Sequence, residues 1–504
     1  MNETSRPNIL WICTDQQRCD TLNCYGAKFT RTPNIDRLAA NGEQFQNAYV
    51  QNPVCMPSRA SFLTGRYPRA CRVRYNGQDV CAAEEAYLIP RILRDEAGYF
   101  CGLSGKLNLS LCNPAVTPVM EPRVNDGYDY FAWSQEQSAG WPLNAYTMWL
   151  KANGKKYFSP PREDCKYVNV GMPPEYHQTK WCADRALEFM ENAADYKRPW
   201  LFSFNCLDPH HSFNPPPEYL ERYLPLLDQI PLPDYTEGEL EEKSPLQRRN
   251  HFGAYGTKGF FAYPDMTARD HRMIRAAYYA MCDFIDVQVG RMLDCLEKTG
   301  QLDNTIVIFH SDHGESLGDH GIYLKGPYFY ESGVHVPLII SCPKRFQAGV
   351  SSRALVELTD IAPTLLEAAG LPYKRGMQGK SLYGLLSGSA PLDTFRDSVY
   401  CEMYADGENT EPLAYATMIF DGRYKLTRLH VLPDGLGGAR CEGELYDLES
   451  DPGEKRNLYN DLCAADAKRH CLEIMCDRMA LTCDPMPLNS YYHKGDHAIK
   501  NGIF

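Results

Sequence analysis

The sequence has no long apolar run, no excess of positive charge and no closely spaced pair of cysteines. No stretch approaches the roughly 20 apolar residues that span a bilayer, so we expect no membrane-spanning segment. Lys and Arg number 52 against 64 Asp and Glu, a net charge of −12. This balance argues against a general nucleic-acid binder, because neutralising phosphates needs a basic surface. None of the 20 cysteines stands in a C-x-x-C arrangement, so zinc ribbons and thioredoxin-like redox pairs find no support.

The amino terminus, MNETSRPNILWICTDQQ, has no basic leader followed by an apolar segment and a small-residue cleavage site. We therefore expect a cytoplasmic protein. In that compartment nearly all cysteines are expected to be reduced and buried as small apolar side chains, with Cys55 as the exception. A hydrophobic fraction of 44% with 12% aromatic residues predicts a sizeable core.

Short apolar runs alternate with helical patterns over most of the chain, which predicts parallel strands joined by crossover helices. The predicted strands are residues 8–13, 99–103, 200–205, 304–309 and 336–341, and the predicted helices are residues 34–41, 86–97 and 272–298. After about residue 385 this pattern fades, and residues 416–420 and 424–428 predict short antiparallel strands. The expected fold class is α/β. Residues 1–385 would form a large doubly wound, mostly parallel sheet flanked by helices, and residues 386–504 a smaller C-terminal α+β domain with an antiparallel sheet.

Polar side chains follow three of the predicted strands, at the edge where ligands bind in open parallel sheets. These side chains are Asp15 and Gln16, then Asp208, His210 and His211, and finally Asp312 and His313. Oxygen and imidazole donors gathered from three distant segments suit a divalent cation. The residues leave a second interpretation open, in which each aspartate caps a helix or a turn.

The segment Cys55-Met56-Pro57-Ser58-Arg59 and the Leu-Thr-Gly-Arg that ends at residue 66 resemble the type I sulfatase family, within the alkaline-phosphatase-like superfamily. In that family the element C-x-P-S-R-x-x-x-L-T-G-R marks a cysteine that a maturation enzyme oxidises to formylglycine. The resemblance covers most of the chain. It includes PNILWICTDQQ, AGYFCGLSGK, DNTIVIFHSDHGESLGDHGIYLKG and ELYDLESDPGEKRNL, and lies near the choline-sulfatase and phosphonate monoester hydrolase branches.

The chemistry of position 55 can also be argued from the residues themselves. A thiol is a soft nucleophile that is poorly matched to sulfur in a sulfate ester, whereas the hydrate of an aldehyde offers two oxygens, one of which can attack from a metal. Pro57 suits the first turn of a helix, so residue 55 would lie near the positive end of that helix, where an oxyanion is favoured. Arg59, one turn further on, could hold the oxyanion and the charges of the metal site.

The resemblance implies a single divalent metal ion held by Asp15, Gln16, Asp312, His313 and residue 55. Many relatives carry a second aspartate where this chain has Gln16, and some carry asparagine where it has His313. Calcium is the first expectation because oxygen ligands dominate. The imidazole makes manganese the alternative.

Further residues are matched to the family one by one. Lys106 corresponds to the lysine of a G-K-x-H element, whose histidine is replaced here by Asn108. His210 corresponds to the histidine of a P-H-x-P segment, and Lys325 to a lysine that contacts the bridging oxygen of the ester. Asn76 resembles an asparagine of the choline-sulfatase and phosphonate-hydrolase branches.

The resemblance therefore implies catalytic roles for Cys55, Arg59, Lys106, His210 and Lys325. Substrate contacts are expected from Asn76, Asn108 and His211, whereas His310 and His320 are expected to be structural. Specificity is expected in the loops 110–175, 210–265 and 405–440. The 210–265 segment is rich in proline, tyrosine and charge, which is typical of an irregular excursion over the surface.

The predicted function is hydrolysis of a sulfate ester, in particular a sulfated sugar or oligosaccharide, with aryl sulfates as artificial substrates. Metal-bound hydrated formylglycine would attack sulfur in line, and its second hydroxyl would then expel sulfate. One alternative is a phosphonate monoester or phosphodiester hydrolase, which Gln16, His313 and Asn76 favour and Lys106 disfavours. Another is a non-catalytic binding protein, which the intact CMPSR element argues against. The sequence leaves the oligomeric state open, a homo-oligomer included.

Overall fold

The computed structural model describes residues 6–405, 414–431 and 443–483, apart from residues 82, 139, 194 and 196. Much of the predicted 405–440 specificity segment and the end of the predicted C-terminal domain lie outside the described residues. The strands are β1 Asn8–Thr14, β2 Glu43–Tyr49, β3 Phe100–Gly105, β4 Tyr130–Trp133, β5 Pro161–Arg162, β6 Cys165–Asn169, β7 Trp200–Asn205, β8 Thr305–Ser311, β9 Leu338–Ser341, β10 Val350–Glu357, β11 Val399–Ala405, β12 Ala414–Phe420, β13 Tyr424–Val431 and β14 Gly443–Asp447.

Helices connect these strands and cover the sheets. They are α1 Pro33–Ala40, α2 Cys55–Thr64, α3 Pro68–Cys71, α4 Ile89–Ala97, α5 Ala145–Ala152, α6 Gln178–Ala193, α7 Pro217–Leu220, α8 Pro245–His251, α9 Ala268–Lys298, α10 Glu331–Val334, α11 Ile361–Ala368, α12 Tyr383–Leu386 and α13 Ala465–Leu481.

The main sheet has eight strands in the order β10-β2-β9-β8-β1-β7-β3-β4. Seven of them run in the same direction, and β9 runs antiparallel to both of its neighbours. This order confirms the predicted doubly wound, mostly parallel sheet. The antiparallel direction of β9 was not predicted, because a short apolar run has the same sequence pattern in either direction.

The central strand β1 shows why the sheet is buried on both faces. Ile9, Trp11 and Cys13 belong to one apolar cluster, and the alternate residues Leu10 and Ile12 belong to the other. Helices α2, α4 and α11 contribute to the first cluster, while α1, α6 and α9 contribute to the second. Helices on both faces exclude water from the whole strand, which explains its almost continuous apolar sequence.

Helix α1 begins one residue before its predicted start, and two other predicted helices begin three or four residues from theirs. The predicted helix 86–97 begins as an α-helix only at Ile89, with Pro90 in its first turn, where the missing N–H needs no partner. Helix α9 begins earlier than the predicted residue 272, because Thr267 and Asp270 form a capping box in which each side chain accepts a backbone N–H of the other.

The predicted irregular excursion 210–265 contains the two short helices α7 and α8, joined by turns. Its aromatic side chains pack against the first half of α9 in a third apolar cluster.

A second sheet has the antiparallel order β11-β12-β13-β14, as predicted for the C-terminal region. One face packs against α13. The other face, through side chains such as Cys401 and Met418, joins the first apolar cluster of the main sheet. The domain boundary near residue 385 stays a prediction.

Of the cysteines in the described segments, 13 are buried, as predicted, whereas Cys463, Cys476 and Cys483 are exposed. Within the same segments, no helix has both the length and the apolar character that crossing a bilayer requires.

Candidate active site

The site begins at the ends of two adjacent parallel strands. Thr14 of β1 lies beside Ser311 of β8 in the sheet register, and the Asp312 N–H donates to the Thr14 carbonyl oxygen at 3.2 Å. Asp15 and Asp312 therefore leave the sheet together, although almost 300 residues separate them in the sequence. Both carboxylates are fully buried.

Four of the predicted ligands converge at this edge. Asp15, Cys55, Asp312 and His313 each offer one ligand atom, and these atoms all lie within 4.8 Å of one another. The His313 Nε2 is 3.1 Å from Cys55 Sγ and 3.8 Å from one oxygen of each carboxylate. Burial of two carboxylates so close together is costly unless positive charge compensates them.

Cys55 is the first residue of helix α2, as the sequence predicted. The N–H of Met56 donates to Asn76 Oδ1 at 3.1 Å, so the predicted substrate-binding Asn76 here caps the helix start. Ser58 Oγ donates to the Asp312 carbonyl oxygen at 2.6 Å. These contacts fix Cys55 over the strand ends with the positive end of the helix beside it.

The cationic side chains of Arg59 and Lys106 compensate the negative charge of the two carboxylates. Arg59 Nε lies 2.9 Å from Asp312 Oδ2, and Arg59 Nη2 lies 3.4 Å from Asp15 Oδ2. Lys106 Nζ lies 2.5 Å from the same Asp15 oxygen. Burial by itself raises the pKa of the Asp15 carboxyl, but the surrounding cations, Lys106 foremost, hold it well below its ordinary value.

Lys325 contacts the Cys55 thiol and also the side chains of Gln16 and His210. Its Nζ lies 3.2 Å from Cys55 Sγ, 2.8 Å from Gln16 Oε1 and 2.9 Å from His210 Nε2. Burial raises the pKa of the Cys55 thiol, but Lys106, Lys325 and His313 outweigh burial and Asp15 and lower it to about 5. Residue 55 therefore lies where negative charge is strongly favoured.

The hydrogen bonds of two histidines define where their lone pairs point. His313 Nδ1 is 2.8 Å from the Gly314 carbonyl oxygen, so Nδ1 carries the proton and Nε2 faces the cluster as a ligand. His210 Nδ1 contacts the His211 carbonyl oxygen, and its Nε2 accepts from Lys325. Burial and then Lys325 lower the pKa of His210 well below its ordinary value, so this imidazole is neutral.

The donor set fits a divalent cation. Two carboxylate oxygens, the Nε2 of His313 and the side chain at position 55 lie within 4.8 Å of one another, and the Gln16 amide oxygen is joined to this group through Lys325, which contacts both Gln16 and Cys55. With a divalent ion added to Arg59, Lys106 and Lys325, positive charge exceeds that of the two carboxylates. Such an excess favours an anionic ligand.

Three predicted residues lie outside this cluster of side chains. Asp208 is buried, but its carboxylate accepts from Thr179 Oγ1 at 2.5 Å and from Gln137 Nε2 at 3.2 Å, so it does not face the cation position. The Asn108 side chain donates to Cys112 Sγ at 3.6 Å. The His211 ring stacks on His210 at 4.0 Å, one layer further from Cys55.

His310 and His320 have the structural contacts that the sequence led us to expect. His310 Nε2 accepts from Trp11 Nε1 at 2.8 Å, inside the first apolar layer. His320 Nδ1 lies 2.6 Å from Glu239 Oε1, and its ring stacks on Tyr330.

The sequence places Glu315 in the polar segment that follows β8, but sequence reasoning assigned it no role in the site. It is fully buried and its carboxylate contacts the Gln16 side-chain amide. The signal was its position, three residues after Asp312 in the same strand-end segment.

The fold and this site define a hydrolase of anionic esters. A sequence model of the sulfatase family matches residues 7–371, and a model described as N-sulphoglucosamine sulphohydrolase, C-terminal, matches residues 318–479. The first match covers most of the chain, and the protein belongs to the sulfatase family. The predicted family and the predicted enzyme class, sulfuric ester hydrolase, are confirmed.

Similar proteins span nearly the whole chain. An arylsulfatase of Clostridium perfringens (strain 13 / Type A) is 29% identical over 481 residues, which cover 90% of each chain. An N-acetylglucosamine-6-O-sulfatase of Bacteroides thetaiotaomicron is 26% identical and covers 99% of this chain and 91% of its own. The solved structure of a phosphonate monoester hydrolase from Silicibacter pomeroyi superposes with a TM-score of 0.79 at 25% identity, covering 94% of this chain and 96% of its own.

Proposed function

We propose that this protein hydrolyses the sulfate ester of a sugar or oligosaccharide and that Cys55 is converted to formylglycine for this purpose. The observation that carries the proposal is the position of Cys55. It lies at the start of a helix, buried among ligand-type side chains and within 3.2 Å of a lysine ammonium. A buried thiol with only a packing role needs none of these neighbours.

The proposed chemistry at residue 55 depends on two groups. A divalent cation, calcium as first assignment and manganese as the alternative, supplies positive charge next to residue 55 and stabilises a deprotonated hydroxyl. Asp15, Gln16, Asp312 and His313 would hold it. The hydrated aldehyde supplies two hydroxyl oxygens, one to attack the sulfur and one to release the sulfate. Cys55 therefore also needs a maturation enzyme as a partner.

Three cationic side chains would stabilise the sulfuryl oxygens. Lys106 and Arg59 contact Asp15, and Lys325 contacts Cys55 and His210. Fixed charges that already surround the reacting group lower the barrier without reorganising during the reaction. We assign the proton for the departing alcohol to the Lys325–His210 pair, in which Lys325 Nζ donates to His210 Nε2.

The leaving group would then extend from His210 toward a group of aromatic rings. The His211 ring lies 6.0 to 6.3 Å from the rings of Tyr255, Phe260 and Phe261, and Phe260 is 39% exposed. Flat apolar ring faces pack well against the C–H face of a pyranose. Together with the sulfated-sugar enzyme among the similar proteins, these rings support a sugar as the alcohol.

A phosphonate monoester or phosphodiester remains the second candidate substrate. The donor set with Gln16 and His313 and the TM-score of 0.79 to a phosphonate monoester hydrolase favour it. Lys106 disfavours it, because the resemblance associates this lysine with sulfatases.

Parallel assays separate the two candidates. The protein, co-expressed with a formylglycine-generating enzyme, is assayed with an aryl sulfate and with a phenyl phosphonate ester, and the C55A variant is the control for both. We expect a higher kcat/KM for the sulfate and loss of both activities in C55A. A clear preference for the phosphonate would contradict the proposal. A panel of sulfated mono- and disaccharides then identifies the sugar.

A further inference from the structure

Glu315 is a buried carboxylate that sits between the cation position and the Lys325 loop. Its Oε1 accepts the backbone N–H of Leu317 at 3.0 Å and that of Leu324 at 2.6 Å. Its Oε2 accepts from the Nε2 of Gln16. Both oxygens are therefore used as acceptors, and as long as position 16 is glutamine a side chain without two acceptor oxygens cannot replace this one.

The Gln16 amide is held from both ends. Its Nε2 donates to Glu315 and its Oε1 accepts from Lys325 Nζ at 2.8 Å. An ammonium only donates, so the carbonyl end of the amide must face Lys325, whose Nζ also contacts Cys55 Sγ at 3.2 Å. The contacts thus fix which end of the amide faces Glu315 and which end faces Lys325.

Hydrogen bonds also hold the backbone of Gln16 in a defined conformation. Its φ is +68°, a left-handed conformation that is unfavourable for a residue with a side chain. Its N–H donates to Asp312 Oδ1 at 3.1 Å, and Tyr278 Oη donates to its carbonyl oxygen at 2.5 Å. The backbone conformation sets where the side chain starts, whereas the orientation of its amide depends on Glu315.

We propose that Glu315 is a positioning residue that turns the carbonyl oxygen of Gln16 toward the cation, and that these two residues function as a coupled pair. This inference rests on the cation site in the proposed function. It also gives a physical reason why position 16 holds glutamine instead of an acid. A carboxylate there would face the buried Glu315 carboxylate, and two buried like charges in contact repel strongly.

Each single substitution breaks the pair in a different way. In Glu315→Gln the new amide cannot accept from Gln16 and from both backbone N–H groups, so the Gln16 amide turns over and presents N–H groups to the cation. In Gln16→Glu two carboxylates face each other. Both variants should lower the affinity for a cation by about 10- to 100-fold, as loss of a group that orients a metal ligand usually does.

The exchange of both residues restores every contact. In Q16E/E315Q, the carbonyl oxygen of the new amide at position 315 accepts the two backbone N–H groups. The nitrogen of that amide donates to the new carboxylate at position 16, whose other oxygen faces Lys325 and the cation. The total charge is unchanged. The double variant should therefore bind the cation at least as tightly as the unsubstituted protein, an effect that two independent substitutions cannot produce.

The test is calorimetric titration of the metal-stripped full-length protein and its three variants with Mn²⁺ and, separately, with Ca²⁺. This readout is independent of sulfatase activity. Circular dichroism checks that each variant is folded. The control is E43Q, which removes a buried carboxylate from the first residue of β2, at the amino edge of the sheet, and which should bind both ions like the parent.

Weak binding by both single variants and restored binding by the double variant would support the coupled pair. Additive losses in the double variant, or unchanged binding by E315Q, would overturn the coupling while leaving the cation site in place. Absence of binding by the unsubstituted protein would overturn both the coupling and the proposed cation site.

Discussion

Lys106 Nζ and Asp15 Oδ2 lie 2.5 Å apart, although their strands are not neighbours. Lys106 follows β3 and Asp15 follows β1, and β7 lies between these strands in the sheet. Strands in a sheet are spaced about 4.8 Å apart, so the contact bridges roughly 10 Å. The long lysine side chain covers this distance from a backbone position that is itself fixed by the hydrogen bond from the Lys106 N–H to the Asn205 carbonyl oxygen at 2.9 Å.

Replacement of Lys106 by methionine should keep the packing and remove the charge. Asp15 would lose its shortest ion pair and keep the longer one to Arg59 at 3.4 Å, and a sulfuryl group would lose a cation. We expect kcat/KM for an aryl sulfate to fall by about 10²- to 10³-fold, as for loss of one oxyanion donor. Steady-state kinetics of the matured enzyme measure this.

Lys151→Met is the matched control, because Lys151 is an exposed lysine on α5. It removes one positive charge without contacting the site and should leave kcat/KM unchanged. Equal kinetics for the Lys106 variant and this control would contradict the role of Lys106.

Asp312 and Asp208 offer a direct comparison between two buried strand-end aspartates. Asp312→Asn should abolish the rise in melting temperature that added Ca²⁺ or Mn²⁺ gives, because it weakens a ligand and removes the nearer of the two carboxylates that contact Arg59. Asp208→Asn should retain that rise. Burial raises the pKa of Asp208, and an asparagine can keep its contacts with Thr179 and Gln137, so its loss of stability should be about 1 kcal/mol.

Thermal unfolding with and without a chelator measures both responses. A bound cation at 100 times its Kd stabilises the folded state by about 2.7 kcal/mol, which is well within the range of the measurement. A metal response lost in the Asp208 variant and kept in the Asp312 variant would reverse our assignment.

His310 should make stability depend on pH. Burial lowers the pKa of His310 to about 4 from an ordinary value of 6.5. Its Nε2 accepts from Trp11, so protonation would place two N–H groups against each other. In the folded state His310 therefore stays neutral, whereas the same histidine in the unfolded chain takes up a proton below pH 6.5. Stability from this group is complete above pH 6.5 and falls by up to about 3 kcal/mol as the pH drops to 4.

Chemical denaturation across this pH range, compared between the protein and His310→Gln, isolates the effect. Glutamine can accept from Trp11 and does not titrate, so the variant should lose less stability on acidification. Parallel curves for the two proteins would show that His310 does not cause the loss.

The sequence predicted the bounds of five main-sheet strands more closely than the starts of two helices, and it did not identify β2, β4 or β10. Residues 200–205 form a strand with the predicted bounds because both faces of β7 are buried and only an apolar run fits there. The earlier start of α9 depends on Thr267 and Asp270, whose capping signal lies outside the apolar period that was used. The direction of β9 depends on its neighbours and leaves no mark in its sequence.

At the site, the sequence predicted which residues reach the strand ends but not where each side chain points. Asp15 and Asp312 face the cluster, whereas Asp208 turns toward Thr179 on α6. Glu315 became visible only through its contact with Gln16. Such contacts join segments about 300 residues apart, and no local pattern encodes them.

The most direct test of the account is peptide mass mapping of the protein matured with a formylglycine-generating enzyme, coupled to a sulfatase assay of the same sample. We predict that the peptide containing residue 55 lacks the sulfur and two hydrogens of cysteine and carries one added oxygen, and that activity rises with the converted fraction. A peptide that keeps its cysteine sulfur in a sample that hydrolyses sulfate esters at full rate would contradict the account.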